Sequence, residues 1–141
     1  MQSSKPGIIV LVEDDSDDQE LFKDTLTSLS IGNKVLIFST GLDALDYLNT
    51  TTDQPFIIIC DINLPRMNGL ELREEIMSSE KLKRKSIPFI FFSTNASKTT
   101  IEKAYDLTVQ GFFQKPVSVD ELNRVLKMIV DYWSTCKHPN N

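Results

Sequence analysis

Short apolar runs alternate with amphipathic segments along almost the whole chain. Five of these runs are rich in β-branched and aromatic residues, and they predict five strands. Several runs are apolar without alternation, which is typical of parallel strands that are covered on both faces. The predicted strands cover residues 7–12, 35–38, 56–60, 88–92 and 111–113.

The segments between and after the strands predict five helices. Residues 70–79 and 99–107 mix apolar and charged side chains without internal glycine or proline, which favours a helix in each. The last helix carries Leu122, Leu126 and Ile129 at helical spacing, so one apolar face is predicted to cover the sheet. Capping residues mark the starts of the first, second and last helices: Ser16 with Gln19, Thr40 with Asp43, and Ser118 with Glu121.

This alternation of strand and helix predicts an α/β domain, because parallel strands need crossover helices and right-handed crossovers place them on both faces. Five strands suit a doubly wound parallel sheet in the order 2-1-3-4-5. Ligands of such sheets bind at the carboxyl edge, where the strand order reverses between the first and third strands. We therefore expect the functional residues directly after strands one and three.

Composition narrows the class of protein further. The chain has 141 residues, of which 40% are hydrophobic and 25% charged, as expected for one globular domain. We expect that domain over residues 7–133, between an N-terminal tail (1–6) and a polar C-terminal tail (134–141). The apolar runs fall far short of the roughly 20 residues that cross a bilayer, and the N-terminus lacks a signal-peptide core. The sequence thus predicts a cytoplasmic protein without a membrane partner.

The cysteines and the histidine limit the chemistry. Cys60 and Cys136 lack the CxxC spacing of zinc or redox sites. His138 is the only histidine and lies in the polar tail, which argues against a Ser-His-Asp triad and a histidine-based zinc site. Carboxylates are therefore the groups expected to carry the chemistry.

Negative charge is concentrated in one segment. Seven of the 20 acidic residues lie between positions 13 and 24, in a chain whose net charge is −5. Carboxylates that converge at one sheet edge repel one another, so either protonation or a cation is needed there, and a hard divalent cation with oxygen ligands, such as Mg²⁺, is the favoured answer. The polar residues that directly follow strands one and three are Glu13, Asp14 and Asp15, and Asp61 with Asn63.

Other charged segments are predicted to be structural. Asp17 and Asp18 are expected to serve the start of the first helix, where acids favour the positive end of the helix dipole. The basic run 81–85, between the third helix and the fourth strand, is predicted as a solvated loop. Five residues without interleaved aromatics on an acidic protein support nucleic-acid binding poorly, so no nucleic-acid partner is expected.

Four short segments lie at the ends of predicted strands, in order along the chain. They are Leu11-Val-Glu-Asp-Asp15, Cys60-Asp-Ile-Asn-Leu-Pro-Arg-Met-Asn-Gly69, Phe92-Ser-Thr94 and Gln114-Lys-Pro116. Together they are similar to the receiver domain of bacterial two-component response regulators. The resemblance extends over about residues 7–133, and four motifs in the right order are specific although each alone is weak. It implies a flavodoxin-like fold with the strand order given above.

The resemblance implies a phosphoacceptor and a metal site. Asp61 would accept a phosphoryl group from a sensor histidine kinase or a histidine phosphotransfer protein. Mg²⁺ would be held by Asp61, Glu13 and Asp14. The backbone carbonyl of Asn63 would complete the protein ligands, with Asp15 as an accessory residue.

The resemblance also implies which residues bind the phosphoryl group. Lys115 would place its ammonium beside a phosphoryl oxygen, and an ion pair with the phosphoacceptor alone is the alternative. Ser93 matches the hydroxyl that moves toward the phosphoryl group, with Thr94 as the alternative. The family usually keeps the bond from Lys115 to Pro116 cis, and the sequence leaves the isomer open.

The effect of phosphorylation would be transmitted from the site to a contact surface of the domain. Phe112 matches the aromatic switch residue of the family, and plain core packing is the alternative for Phe112 and Phe113. The surface of the fourth helix, fifth strand and fifth helix commonly contacts partners in this family and sometimes forms a homodimer. Candidate exposed positions there are Lys98, Lys103 and Asp106.

We therefore expect a single-domain response regulator that signals by phosphorylation-dependent contact with a downstream protein. It would not be an enzyme, although it would assist its own phosphorylation and dephosphorylation. Two rivals are a receiver fold that docks constitutively and a phosphatase that uses Asp15-Ser-Asp17 as its nucleophile motif. A flavodoxin-type cofactor role is disfavoured, because the loop after the first strand is acidic and would repel phosphate.

Overall fold

Five parallel strands form one sheet in the order β2-β1-β3-β4-β5 in the computed structural model, which describes residues 7–137. The predicted order is confirmed, and each predicted strand matches an observed one within two residues at either end. The predicted tail 1–6, the residues 138–141 and with them His138 lie outside the described residues. The strands are β1 (Ile9–Val12), β2 (Val35–Phe38), β3 (Ile57–Cys60), β4 (Phe89–Ser93) and β5 (Gly111–Gln114).

Six helices accompany the sheet within the described residues, one more than predicted. The additional helix lies on the basic run 81–85, for which a solvated loop was the wrong prediction. It forms because the Ser79 hydroxyl accepts a hydrogen bond from the Leu82 backbone and the Leu82 side chain is buried in the core. The helices are α1 (Ser16–Ser28), α2 (Gly41–Thr50), α3 (Gly69–Ser78), α4 (Glu80–Arg84), α5 (Lys98–Asp106) and α6 (Val119–Thr135).

The start of α1 differs from the predicted capping box. The helix is capped by Asp15, whose Oδ1 accepts hydrogen bonds from the backbone N–H groups of Asp17 and Asp18 at 2.8 and 3.3 Å. Gln19 does not close a box with Ser16, because its side-chain amide donates to the backbone carbonyl of Glu13. The other two predicted caps are confirmed at Thr40 and Ser118.

Two apolar layers cover the sheet, as expected for parallel strands that are buried on both faces. Val10, Ile58 and Phe89 belong to the layer formed with α2, α3, α4 and α5. Ile9 and Ile57 belong to the opposite layer, which α1 and α6 complete. Each fully buried aliphatic side chain of this size contributes roughly 1.5–3 kcal/mol of transfer free energy, so the two layers hold the strand ends in place.

The strand register places the acidic residues at one edge. Val12 pairs with Cys60 of the neighbouring strand β3, so the residues that follow, Glu13 and Asp61, leave the sheet at the same level. The Asp61 N–H donates to the Val12 carbonyl at 2.9 Å, which extends the ladder by one residue. The edge is the carboxyl edge at the reversal between β1 and β3, as predicted. Within residues 7–137, no helix is long and apolar enough to cross a membrane.

Candidate functional site

Three carboxylates meet at the carboxyl edge of the sheet. Ligand oxygens of Glu13, Asp14 and Asp61 all lie within 4.8 Å of one another. Glu13 is 2% and Asp61 9% exposed, whereas Asp14 lies at the surface. Burial raises the pKa of Glu13, against the opposing effect of the Lys115 ammonium. The structure therefore brings together the predicted acidic residues of both loops, and their mutual repulsion calls for positive charge.

Lys115 supplies positive charge from the end of β5. Its Nζ lies 2.6 Å from Glu13 Oε1, 2.8 Å from Asp18 Oδ2 and 3.1 Å from Asp61 Oδ2. Burial on its own lowers the pKa of Lys115, but hydrogen bonds to Asp18 and Glu13 outweigh it and raise the pKa above the usual range. Lys115 is thus charged at neutral pH and engages more than the single carboxylate that an ion pair with Asp61 alone would need.

Asp18 is a member of the site that sequence reasoning missed. Its position in the first turn of α1 predicted a role in the helix dipole only, yet its carboxylate contacts Lys115 across 97 positions of sequence. The local sequence gives no signal for this contact. Asp17 and Asp18 both lie in the first turn of α1 next to its cap, and only the fold decides which of them faces Lys115. Asp17, its neighbour, is exposed.

The donor set fits a hard divalent cation. Carboxylate oxygens are the ligands that Mg²⁺ and Mn²⁺ accept, and the three clustered carboxylates together with Asp18 exceed the charge of one ammonium. Asn63 lies beside the cluster, and its N–H donates to Asp61 Oδ1 at 3.3 Å. Asp15 stands apart from the three, because its carboxylate caps α1.

The loop between β3 and α3 is held tightly against the site. A Cβ atom on Gly69 would lie 2.4 Å from the Asp61 carbonyl oxygen, so glycine is required for this close approach. Arg66 and Met67 have positive φ angles of 54° and 114°, which are strained for residues other than glycine. Asn68 then caps α3 in a capping box with Glu71, a signal that was readable in the sequence and was missed.

The two candidate hydroxyls occupy different environments. Ser93 is 1% exposed at the end of β4, and its Oγ donates to the Asn95 carbonyl at 3.2 Å. Its own carbonyl accepts from the Lys115 N–H at 2.9 Å, which joins the two strand ends. Thr94 is exposed. The buried position at the same edge as Asp61 favours Ser93 over Thr94 as the hydroxyl near the site.

The neighbouring phenylalanines of β5 point to opposite faces of the sheet. Phe112 is half-buried and packs against Phe91, with ring centroids 5.8 Å apart. Phe113 stacks on Phe92 in the other layer at 5.3 Å. Because of the additional helix, the predicted contact surface corresponds to α5, β5 and α6. Its candidate positions Lys98, Lys103 and Asp106 are exposed on α5.

One backbone feature departs from what the resemblance implies. No peptide bond within residues 7–137 is cis, so the bond from Lys115 to Pro116 is trans.

A doubly wound sheet with acids and one lysine at its carboxyl edge defines the class of protein as a receiver-type signalling domain. The sequence model of the response regulator receiver domain matches residues 9–127. The chain therefore belongs to the response regulator receiver domain family of two-component signalling.

Known response regulators are similar to this chain in both sequence and structure. Response regulator Rcp1 of Synechocystis is 28% identical over 137 residues, which cover 94% of this chain and 92% of Rcp1. The Mn²⁺-bound form of Rcp1 superposes with a TM-score of 0.81 over 95% of this chain and 99% of that one. The phosphorylated cyanobacterial phytochrome response regulator RcpA is 30% identical, with a TM-score of 0.83 over 93% and 96% of the two chains.

A further relative carries magnesium. The receiver domain of the sensor histidine kinase PA1611 from Pseudomonas aeruginosa, described with a magnesium ion in its active-site cleft, is 25% identical. Its TM-score is 0.74, over 94% of this chain and all of that one. Divalent metals thus occur in structural neighbours of this chain, and the acidic cluster here offers carboxylate oxygens, which such cations accept as ligands.

Proposed function

We propose that this chain is a single-domain response regulator in which Asp61 accepts a phosphoryl group from the phosphohistidine of a sensor kinase or phosphotransfer protein. An Asp61 carboxylate oxygen attacks phosphorus, the bond from phosphorus to the imidazole nitrogen breaks, and the electron pair leaves with the imidazole. The observation that carries this proposal is the juxtaposition of Asp61 with Lys115 and with the acids after β1 at the carboxyl edge.

Glu13, Asp14, Asp61 and the Asn63 carbonyl are proposed to hold Mg²⁺. When bound, the cation would neutralise charge on the phosphoryl oxygens and so let an anionic carboxylate approach phosphorus. The proximity of the three carboxylates supports this role, because their ligand oxygens lie within 4.8 Å of one another.

Lys115 is proposed to bind a phosphoryl oxygen once the acyl phosphate has formed. Its ammonium already lies 3.1 Å from Asp61 Oδ2, so a small displacement brings it to an oxygen attached to that side chain. A preorganised ammonium in a partly buried site stabilises developing negative charge more strongly than it would in water.

Ser93 and Phe112 are proposed to convert phosphorylation into a change of surface. The Ser93 hydroxyl would leave the Asn95 carbonyl for a phosphoryl oxygen, because a charge-assisted hydrogen bond is the stronger one. Phe112 pairs with Phe91, two residues before Ser93 on β4, and would repack when Ser93 moves. The surface of α5, β5 and α6 would then contact a downstream protein or a second copy of the chain.

Phosphorylation can be tested with acetyl phosphate as donor. Wild-type protein with Mg²⁺ is expected to gain the mass of one phosphoryl group, and chelation of the metal should abolish the gain. Asp61→Asn should remain folded by circular dichroism and gain no mass, whereas the control Asp53→Asn, an exposed acid, should behave as wild type. Labelling that persists in Asp61→Asn would contradict the assignment. A wild type that gains nothing from acetyl phosphate or from a phosphorylated histidine donor would favour constitutive docking.

A further inference from the structure

Lys115 contacts two carboxylates of the candidate metal cluster and one carboxylate outside it. Glu13 and Asp61 belong to the cluster of three acids, whereas Asp18 does not. A lysine ammonium has three N–H donors, and three carboxylates within 3.1 Å can occupy all of them. One lysine therefore holds three carboxylates, one of which is not a candidate metal ligand.

Asp18 reaches Lys115 from a different element than the cluster carboxylates do. It lies in the first turn of α1, where its backbone N–H is held by the Asp15 cap, and its side chain is 34% exposed. Its carboxylate approaches Lys115 from the helix, while Glu13 and Asp61 approach from the ends of β1 and β3. The contact of Asp18 with Lys115 is therefore made without either strand-end carboxylate as an intermediary.

The contacts of Lys115 compete with metal coordination. Glu13 and Asp61 each present one oxygen to the ammonium, and their other oxygens accept backbone N–H groups at 3.0 and 3.3 Å. Coordination of a divalent cation by these carboxylates would weaken their contacts with Lys115 and place a like charge near its ammonium. The lysine then needs a partner outside the cluster, and Asp18, at 2.8 Å, is in place.

We propose that Asp18 is a positioning residue that retains the Lys115 ammonium when Glu13 and Asp61 turn to a divalent cation. With Asp18 as its partner, the Lys115 ammonium stays close enough to Asp61 to bind a phosphoryl oxygen there. It then does not occupy the carboxylate oxygens that the metal needs. This inference rests on the proposed function, since it describes how the same site loads its metal and keeps its phosphoryl-binding lysine.

Removal of the Asp18 charge should weaken Mg²⁺ binding. In Asp18→Asn the Lys115 ammonium loses its partner outside the cluster and stays on Glu13 and Asp61. A metal ion must then displace the ammonium from both carboxylates, which costs more free energy. We expect the Kd for Mg²⁺ to rise about threefold to tenfold, the range for one partly exposed charge-assisted hydrogen bond. Asp18→Glu keeps a carboxylate and should recover most of the affinity.

The experiment is calorimetric titration of the unphosphorylated full chain with Mg²⁺ alone. Asp17→Asn is the matched control, because it removes the same charge one position earlier from an exposed side chain. We expect Asp17→Asn to bind Mg²⁺ nearly as wild type. In a Lys115→Ala background, Asp18→Asn should have no larger effect than Asp17→Asn, since the lysine through which Asp18 acts is absent. Circular dichroism of each variant checks that it is folded.

Three outcomes would overturn the inference. Equal weakening in Asp17→Asn and Asp18→Asn would show a general charge effect, and an undiminished Asp18→Asn effect without Lys115 would show direct action on the metal. Wild-type affinity in Asp18→Asn would remove Asp18 from metal loading. In these cases phosphorylation of Asp61 would still stand, because the titration contains no phosphoryl donor. Absence of Mg²⁺ binding to wild type would instead overturn both this inference and the proposed metal site.

Discussion

Lys115 offsets part of the negative charge of three carboxylates, so its replacement should change stability as well as signalling. In Lys115→Met, Glu13, Asp18 and Asp61 would face one another without a cation. We expect the free energy of unfolding in the absence of divalent metal to fall by about 1–3 kcal/mol, less than for a fully buried pair because Asp18 is partly exposed. Urea denaturation measures this, and Mg²⁺ should restore part of the loss. A variant as stable as wild type without metal would contradict this charge balance.

The same lysine predicts a dependence of stability on pH. Its pKa in the folded protein lies above the ordinary value of 10.5, so the folded state holds the proton more tightly than the unfolded state does. The stability that Lys115 contributes is therefore complete below pH 10.5 and is lost as the pH rises through the folded-state pKa. The difference in unfolding free energy between wild type and Lys115→Met should begin to shrink above pH 10.5. A difference that stays constant there would contradict the prediction.

At the scale of elements, the start of α3 fixes the loop that carries Asp61. In Gly69→Ala the new methyl group would meet the Asp61 carbonyl oxygen at 2.4 Å and the Phe91 ring at 2.8 Å, so the loop must shift. We expect a loss of about 1–3 kcal/mol in the free energy of unfolding, together with slower phosphorylation of Asp61.

Gly32→Ala is the matched control for Gly69→Ala. A Cβ at Gly32 has nothing within 4 Å, so this variant should change stability by less than about 0.5 kcal/mol and leave phosphorylation unaltered. Equal behaviour of the two variants, in urea denaturation and in the rate of phosphoryl gain, would show that the close approach at Gly69 does not matter.

Most elements could be predicted because their signals are local. Apolar runs of three to six residues predicted the strands, and polar caps before apolar stretches predicted the starts of α2 and α6. The helix α4 was missed because its basic residues dominate the run, while the single buried Leu82 that anchors it is evident only once the core is formed. At the start of α1, Asp15 and Ser16 are both good caps, and the sequence alone does not decide between them.

At the scale of the whole molecule, the site and the predicted contact surface share β5. Lys115 directly follows the carboxyl end of this edge strand. Phe112 and Phe113 lie in the strand and pack against opposite apolar layers. Exposed apolar side chains of α6, Met128 and Tyr132, lie 44% and 60% open to solvent on the helix that follows. A rearrangement at Lys115 therefore has a short physical route to the surface of α5, β5 and α6 that is proposed to contact a partner.

The candidate site could be predicted only in so far as the sheet topology dictates it. Strand order alone brings Glu13 and Asp61 together, since both follow paired residues of β1 and β3. The contact of Asp18 with Lys115 depends instead on how α1 packs beside the end of β5. No spacing rule reports such a contact between distant elements, and three-dimensional structure is needed to find it.

The assignment of Asp61 as the phosphoacceptor can be tested by locating the phosphoryl group on the chain. Borohydride reduces an acyl phosphate to an alcohol, so the side chain that carried the group becomes marked and can be found by peptide mass spectrometry. After treatment with acetyl phosphate and Mg²⁺, we expect a mark on Asp61 and none when the metal is chelated. A mark on Asp14, Asp15 or any other carboxylate, with Asp61 unmodified, would contradict this assignment.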